Sequence, residues 1–252
     1  IKEYIKLENK NTLKYTEGDV LLVNNKSIEL IKNLGNIEDP KIDEYISLYL
    51  YKEIFRLDKS LEVEASMNDP KQRVDLRDLY FCTIDPNSAK DHDDAIYFDK
   101  IENILYVAIA DVSYFVKEGS ELDKQAFLKS TSIYLPHKVL PMLPPLLSED
   151  MCSLKEGVDR YSYVFKMHLD LQNQSVKKAE LFEAIINSHK NFSYGRIDRV
   201  IEGHLDQYSK TEKEIFDYLI PLYEITKKYR AKRLLKGYDF RTSENRLKLK
   251  NS

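Results

Sequence analysis

Asp85, Asp91, Asp93 and Asp94 stand at the spacing D-x5-D-x-D-D between two apolar runs, Tyr80 to Ile84 and Ala95 to Phe98. Both runs read as strands, and Asp85-Pro86-Asn87-Ser88 between them reads as a turn. A chain folded this way brings its carboxylates to one end of a strand pair. Two carboxylates ~4 Å apart repel by roughly 4 kcal/mol at an effective dielectric near 20. Crowded aspartates therefore take raised pKa values, splay into water, or are compensated by a cation.

Hard divalent cations bind carboxylate oxygens, and Mg²⁺ suits a few carboxylates together with phosphate oxygens and waters. Two such ions ~3.5–4 Å apart form an arrangement that cleaves phosphodiesters. Two plainer readings compete. For an arbitrary Asp-rich loop a solvated acidic turn is the commoner outcome. A calcium loop is the other: counted from Asp91, Asp93 and Glu102 fall at ligand positions. However, Ala95 offers no side-chain ligand, and Ile96 stands where the sharp turn requires glycine. The flanking strands argue against a loose surface turn.

The remainder of the chain sets bounds. Its 252 residues, 42% hydrophobic and 32% charged, suit a soluble globular protein with a sizeable core. No apolar run approaches the ~20 residues that span a bilayer, so no membrane association is expected. Cys82 and Cys152 are isolated, which favours a reduced, cytoplasmic setting. The net charge of -3 gives no support to a nucleic-acid binder by itself, although an acidic site and a basic groove cancel in such a sum. No Gly-rich phosphate loop appears, so no nucleotide cofactor is expected. His137, His168, His189 and His204 lack metal-ligand spacing. The start at Ile1 and the polar stop at Ser252 read as a piece cut at both ends.

Short strands predicted over residues 1–35 suggest the end of a small β-barrel. Asp39-Pro40 then predicts a capped helix running to about Phe55, with Ile42, Tyr45, Ile46, Tyr49 and Leu50 on its apolar stripe. Residues 36–72 read as this helix and a linker, and residues 73–252 as the main domain. Strands are predicted at Ile104 to Val112, Tyr161 to Leu171 and Glu180 to Ser188, with a helix over Leu122 to Leu128. Four prolines in 133–148 predict an extended, irregular segment. Ser209 and Glu212 form a capping-box start for a long helix that stops at Gly237 and kinks at Pro221. The fold class expected is α+β, an antiparallel-rich sheet with surrounding helices.

The order Asp75-Leu76-Arg77-Asp78-Leu79, Thr83-Ile84-Asp85, and Ala89-Lys90-Asp91-His92-Asp93-Asp94-Ala95 resembles the signature of the ribonuclease II / ribonuclease R catalytic domain. The likeness continues through Val107 to Ser113, Tyr134-Leu135-Pro136, Pro141 to Pro144 and Cys152-Ser153-Leu154, covering roughly residues 73–245. Within the acidic loop only His92 departs, because an apolar residue is more usual there. The resemblance implies a processive 3′-to-5′ exoribonuclease that hydrolyses single-stranded RNA to nucleoside 5′-monophosphates with Mg²⁺, for which Mn²⁺ can substitute. It implies that Asp85, Asp91, Asp93 and Asp94 hold metal, and that Asp93 is also the catalytically critical carboxylate. Tyr134, Tyr194 and Phe240 match substrate-contacting aromatics, whose rings would clamp a strand without reading sequence. For each, core or scattered surface is the plainer alternative. The basic run Lys227 to Arg233 reads as a solvated helix face or a phosphate path.

The resemblance also implies a longer protein, with active-site arginines and a further barrel beyond residue 252. The chain alone would then hold metal but lack groups that stabilise charge on the phosphate. Two further readings come from other classes: a noncatalytic RNA-binding module, and a calcium-dependent interaction domain.

Overall fold

The structure, a computed structural model, describes residues 15–24, 26, 30–51, 67, 72–136, 138–204 and 208–238. In chain order its elements are β1 (Asp19–Val23), β2 (Leu30–Asn36), α1 (Ile42–Leu50), β3 (Val74–Asp75), β4 (Phe81–Asp85), β5 (Asp94–Asp99), β6 (Ile104–Ala110), α2 (Val112–Phe115) and α3 (Glu121–Lys129). Then follow β7 (Ile133–Tyr134), β8 (Val139–Leu140), β9 (Asp159–Asp170), β10 (Ser175–Ser193), α4 (Tyr194–Ile201) and α5 (Lys210–Leu234). The described residues fall into two units, one within 1–59 and 131–141, the other within 60–130 and 142–244. No helix among them is long and apolar enough to cross a membrane.

In the smaller unit β1 and β2 pair antiparallel with two register shifts, and β7 pairs with β8. The helix α1 does not begin at Asp39. The Asp39 carboxylate accepts from Lys41 N at 2.9 Å and closes its own turn, so the helix starts at Ile42 behind an N-cap, Lys41, that makes no side-chain cap. Ile42 and Leu48 are buried, whereas Leu50, expected on the apolar stripe, is exposed. The end predicted near Phe55 lies outside the described residues.

The larger unit is built on a six-stranded sheet in the order β3-β10-β4-β5-β6-β9. The neighbours β4–β5, β5–β6, β6–β9 and β9–β10 are antiparallel, while β10 runs parallel to β3 and β4. Because β10 pairs with both β4 and β9, five strands close on themselves. The mixed α and β fold, rich in antiparallel pairs, is the class expected.

Both faces of the central strands are covered, which explains their unbroken apolar runs. Strand alternation sends Cys82 and Phe98 into a core with Ile197, Ile215, Phe216 and Leu219 of α4 and α5. It sends Phe81 and Ala95 into a second core with Leu147, Cys152, Leu154 and Val164. The helix α5 starts as predicted: Glu212 N donates to Ser209 Oγ at 3.1 Å, and Ser209 N donates to Glu212 Oε2 at 3.0 Å. Pro221 lies inside it. The Tyr218 hydroxyl reaches back to the sheet, 2.8 Å from Tyr80 O and 3.1 Å from Ile96 O.

The segment 133–148, expected to be extended and largely irregular, carries the two-residue strands β7 and β8; at its end a short wide helical turn, Leu147–Met151, begins where Pro144 O accepts from Leu147 N at 2.8 Å. It delivers Cys152-Ser153-Leu154 against the acidic loop.

Candidate active site

Asp85 is the last residue of β4 and Asp94 the first of β5, so the loop 86–93 joins two neighbouring strands. Its backbone is fixed by contacts from distant residues. Ser153 Oγ accepts from His92 N at 3.1 Å and donates to Lys90 O at 2.7 Å. Leu154 N donates to His92 O at 2.9 Å, and Ala110 N donates to Asp93 O at 3.0 Å. The brace is itself held: the buried Arg160 donates from Nε to Ser153 O (3.1 Å) and pairs through Nη2 with Asp150 (2.8 Å). A loop with its carbonyls and N–H groups tied at Lys90, His92 and Asp93 has little freedom to splay its aspartates.

The electrostatics show what that restraint does. Asp93 and Asp94 are accessible to solvent but crowded. Partial burial raises the Asp93 carboxyl above its ordinary range, and Asp91, Asp94 and Asp85 raise it further. Partial burial and then Asp85 raise Asp94 in the same direction. Asp93 thus feels the other three aspartates, and Asp94 feels Asp85. The donor set suits a hard divalent cation. Its distances are looser: among the described residues no group of three or more His, Cys, Asp or Glu side chains is gathered where one ion could be held. One Asp85 oxygen is engaged instead by His92, with Nδ1 at 2.7 Å from Oδ2.

Two of the three expected substrate aromatics lie among the described residues, one in each unit. Tyr194 opens α4 and is 54% exposed; the residue before it, Ser193, is registered against Asp85, so Tyr194 stands at the same end of the sheet as the acidic loop. Tyr134 lies on β7 in the smaller unit and is 71% exposed. Phe240 lies outside the described residues. The His92 contact and the bracing by Ser153 and Arg160 escaped the sequence reading. The motif Cys152-Ser153-Leu154 was its visible trace, without a sign of what it touches.

The RNB domain matches residues 73–252, and the second OB domain of ribonuclease R matches residues 1–48. The chain belongs to the RNB domain family, the ribonuclease II / ribonuclease R family that its motifs resemble. It is 36% identical over 251 residues to ribonuclease R of Helicobacter pylori strain J99, covering 97% of this chain and 38% of that protein. The chain thus spans under two fifths of the length of this curated relative. Among solved structures, Mycoplasma genitalium RNase R in complex with double-stranded RNA superposes with a TM-score of 0.68 at 31% identity, covering 81% of this chain and 38% of the other. Yeast Ssd1, a pseudonuclease, shares the fold with a TM-score of 0.67 at 19% identity, covering 86% of this chain and 28% of its own.

Proposed function

We propose that this chain contributes the metal-binding part of a 3′-to-5′ exoribonuclease that hydrolyses single-stranded RNA processively to nucleoside 5′-monophosphates. The observation that carries the reading is the braced acidic loop. A fold that needed only a solvated turn would not pin the backbone at Lys90, His92 and Asp93 while leaving Asp93 and Asp94 with raised carboxyl pKa values. In this reading Asp85, Asp91, Asp93 and Asp94 hold Mg²⁺, or Mn²⁺ in its place. The cation would supply positive charge to the phosphate oxygens. Asp93 orients the attacking water and takes up its proton. The water oxygen joins phosphorus as the bond to the 3′ oxygen breaks, and that oxygen takes a proton from solvent as it leaves. Tyr134, Tyr194 and Phe240 stack on or contact the RNA strand.

A second reading, a noncatalytic RNA-binding module, is favoured by one observation: the same fold occurs in a pseudonuclease, so the fold does not by itself carry turnover. The four aspartates weigh against it, since a pure binder gains nothing by setting clustered anions against a phosphate backbone. The test is nucleotide release from a 3′-overhanging RNA in Mg²⁺ by the full-length protein and its Asp93→Asn variant. Monophosphate release that disappears in the variant supports the hydrolase. A wild-type protein that binds RNA and releases nothing establishes the module.

A further inference from the structure

We propose that His92 is a positioning residue that fixes the Asp85 carboxylate so that a divalent cation meets a preset ligand. The inference rests on the metal-site reading of the acidic loop and adds to it a residue that does not itself touch the cation.

His92 lies between two aspartates, yet it differs from both in placement. Asp91 and Asp93 are exposed, whereas the His92 side chain is 15% exposed and turned back toward β4. There Nδ1 meets two groups on one face of the strand, Asp85 Oδ2 at 2.7 Å and the buried Thr83 Oγ1 at 3.3 Å. An ionised carboxylate only accepts hydrogen bonds, so this contact puts the ring proton on Nδ1. The shorter contact is the stronger one, and Thr83 is the lesser partner.

The His92 backbone that carries the ring is held in place. Its own N–H is held by Ser153 and its carbonyl by Leu154, at 3.1 and 2.9 Å. Both contacts come from a segment anchored by the buried Arg160. A rigid scaffold therefore reaches Asp85 through one imidazole. This matters because Asp85 ends β4, on the far side of the loop from Asp91, Asp93 and Asp94. Its carboxylate is the one whose orientation the rest of the cluster cannot set by sequence proximity. An apolar side chain at position 92 would fill the same space and leave the carboxylate to rotate. Removing groups that orient metal ligands typically weakens metal binding by about 10–100-fold.

The test is direct Mn²⁺ binding, followed through the spectrum of the free ion, on the full-length protein and its His92→Phe and His92→Asn variants. Phenylalanine keeps a ring without a donor, while the asparagine amide places a donor where Nδ1 stood. The expected result is a Mn²⁺ affinity about tenfold weaker in His92→Phe and within about threefold of wild type in His92→Asn. Should His92→Phe fail to fold, His92→Leu takes its place as the donor-free variant. An unchanged affinity without the donor overturns the proposal, as does an asparagine variant as weak as the donor-free one. A wild-type protein that binds no Mn²⁺ overturns it together with the metal reading. A protein that binds Mn²⁺ with the expected ratios but releases no nucleotides leaves the positioning role intact and removes only the hydrolase.

Discussion

The acidic loop and the first turn of α5 both carry carboxylates in the same unit, and the fold treats them in opposite ways. Burial would raise Glu212, but hydrogen bonds from Ser209 and Arg196 outweigh it and hold the carboxyl below its ordinary range. Asp93 and Asp94 are raised by partial burial and by neighbouring aspartates. One carboxylate has been given donors and closes a helix. The others have been given each other, on a backbone that does not let them separate. Charge that serves the fold is neutralised locally, whereas charge left crowded and accessible is available to something the chain does not itself supply.

The largest effect that sharpens this contrast is at Asp93. Asp93→Asn should lower nucleotide release by roughly 10²–10⁴-fold, the usual weight of a positioned general base. The same variant should unfold at an unchanged or higher temperature, because it removes repulsion and no partner. A variant that melts clearly lower would show that Asp93 is a stabilising carboxylate, and the contrast with Glu212 would collapse.

Both regions could be read in the sequence, for the same reason: their determinants are local. Ser209 and Glu212 lie three residues apart, and the four aspartates fall within ten. What stayed hidden depended on distant partners. Nothing near His92 announces that Ser153 and Leu154 hold its backbone, or that Arg160 in turn holds Ser153. The parallel pairing of β10 with β4, which brings Ser193 and Tyr194 to the end of the acidic loop, joins segments about a hundred residues apart. The helix α4 was not anticipated; Ser193 caps it by accepting from Arg196 N, without the Glu or Gln that would complete a box. The prolines before Leu147 suggested irregular chain, but proline is tolerated at the start of a helical turn, and there it sits. At Asp39 a local signal misled, because an aspartate before proline serves a turn as readily as a cap.

The brace gives the next effect in size. Ser153 is fully buried, and its hydroxyl serves His92 N and Lys90 O together. Ser153→Ala leaves both without that partner and should lower the free energy of unfolding by about 1–3 kcal/mol. Amide exchange at His92 should speed up in the same variant. Unfolding in urea that matches wild type would mean the loop is held by something other than Ser153.

A smaller effect comes from pH, and its sign separates the two regions. The folded-state pKa of Glu212 is depressed, so its stabilisation is present above the unfolded value and is lost as pH falls through the folded one. For Asp93 and Asp94 the folded pKa is raised, so their contribution is present below the unfolded value and is lost as pH rises through the folded one. In EDTA, Glu212→Ala should cost about 1 kcal/mol at neutral pH and progressively less in acid. The double variant Asp93→Asn with Asp94→Asn should gain up to about 1 kcal/mol at neutral pH, discounted for exposure, and lose the gain in acid. Urea midpoints between pH 3 and 7 measure both. Parallel pH profiles for the two variants would contradict opposite roles.

The smallest effect separates charge from backbone within the acidic loop itself. Lys90 belongs to the motif that precedes Asp91, and its ammonium lies 3.4 Å from Glu149 on the surface, with both side chains open to water. Such pairs contribute about 0–1 kcal/mol. Its carbonyl, by contrast, accepts from the buried Ser153 hydroxyl. Lys90→Gln keeps the carbonyl and removes the charge, so stability should move by less than about 0.5 kcal/mol, and Mn²⁺ affinity should stay close to wild type. If that variant instead weakened Mn²⁺ binding as much as His92→Phe does, the loop would be organised by the Lys90 charge. The bracing by Ser153 would then be a consequence of its shape and not the cause.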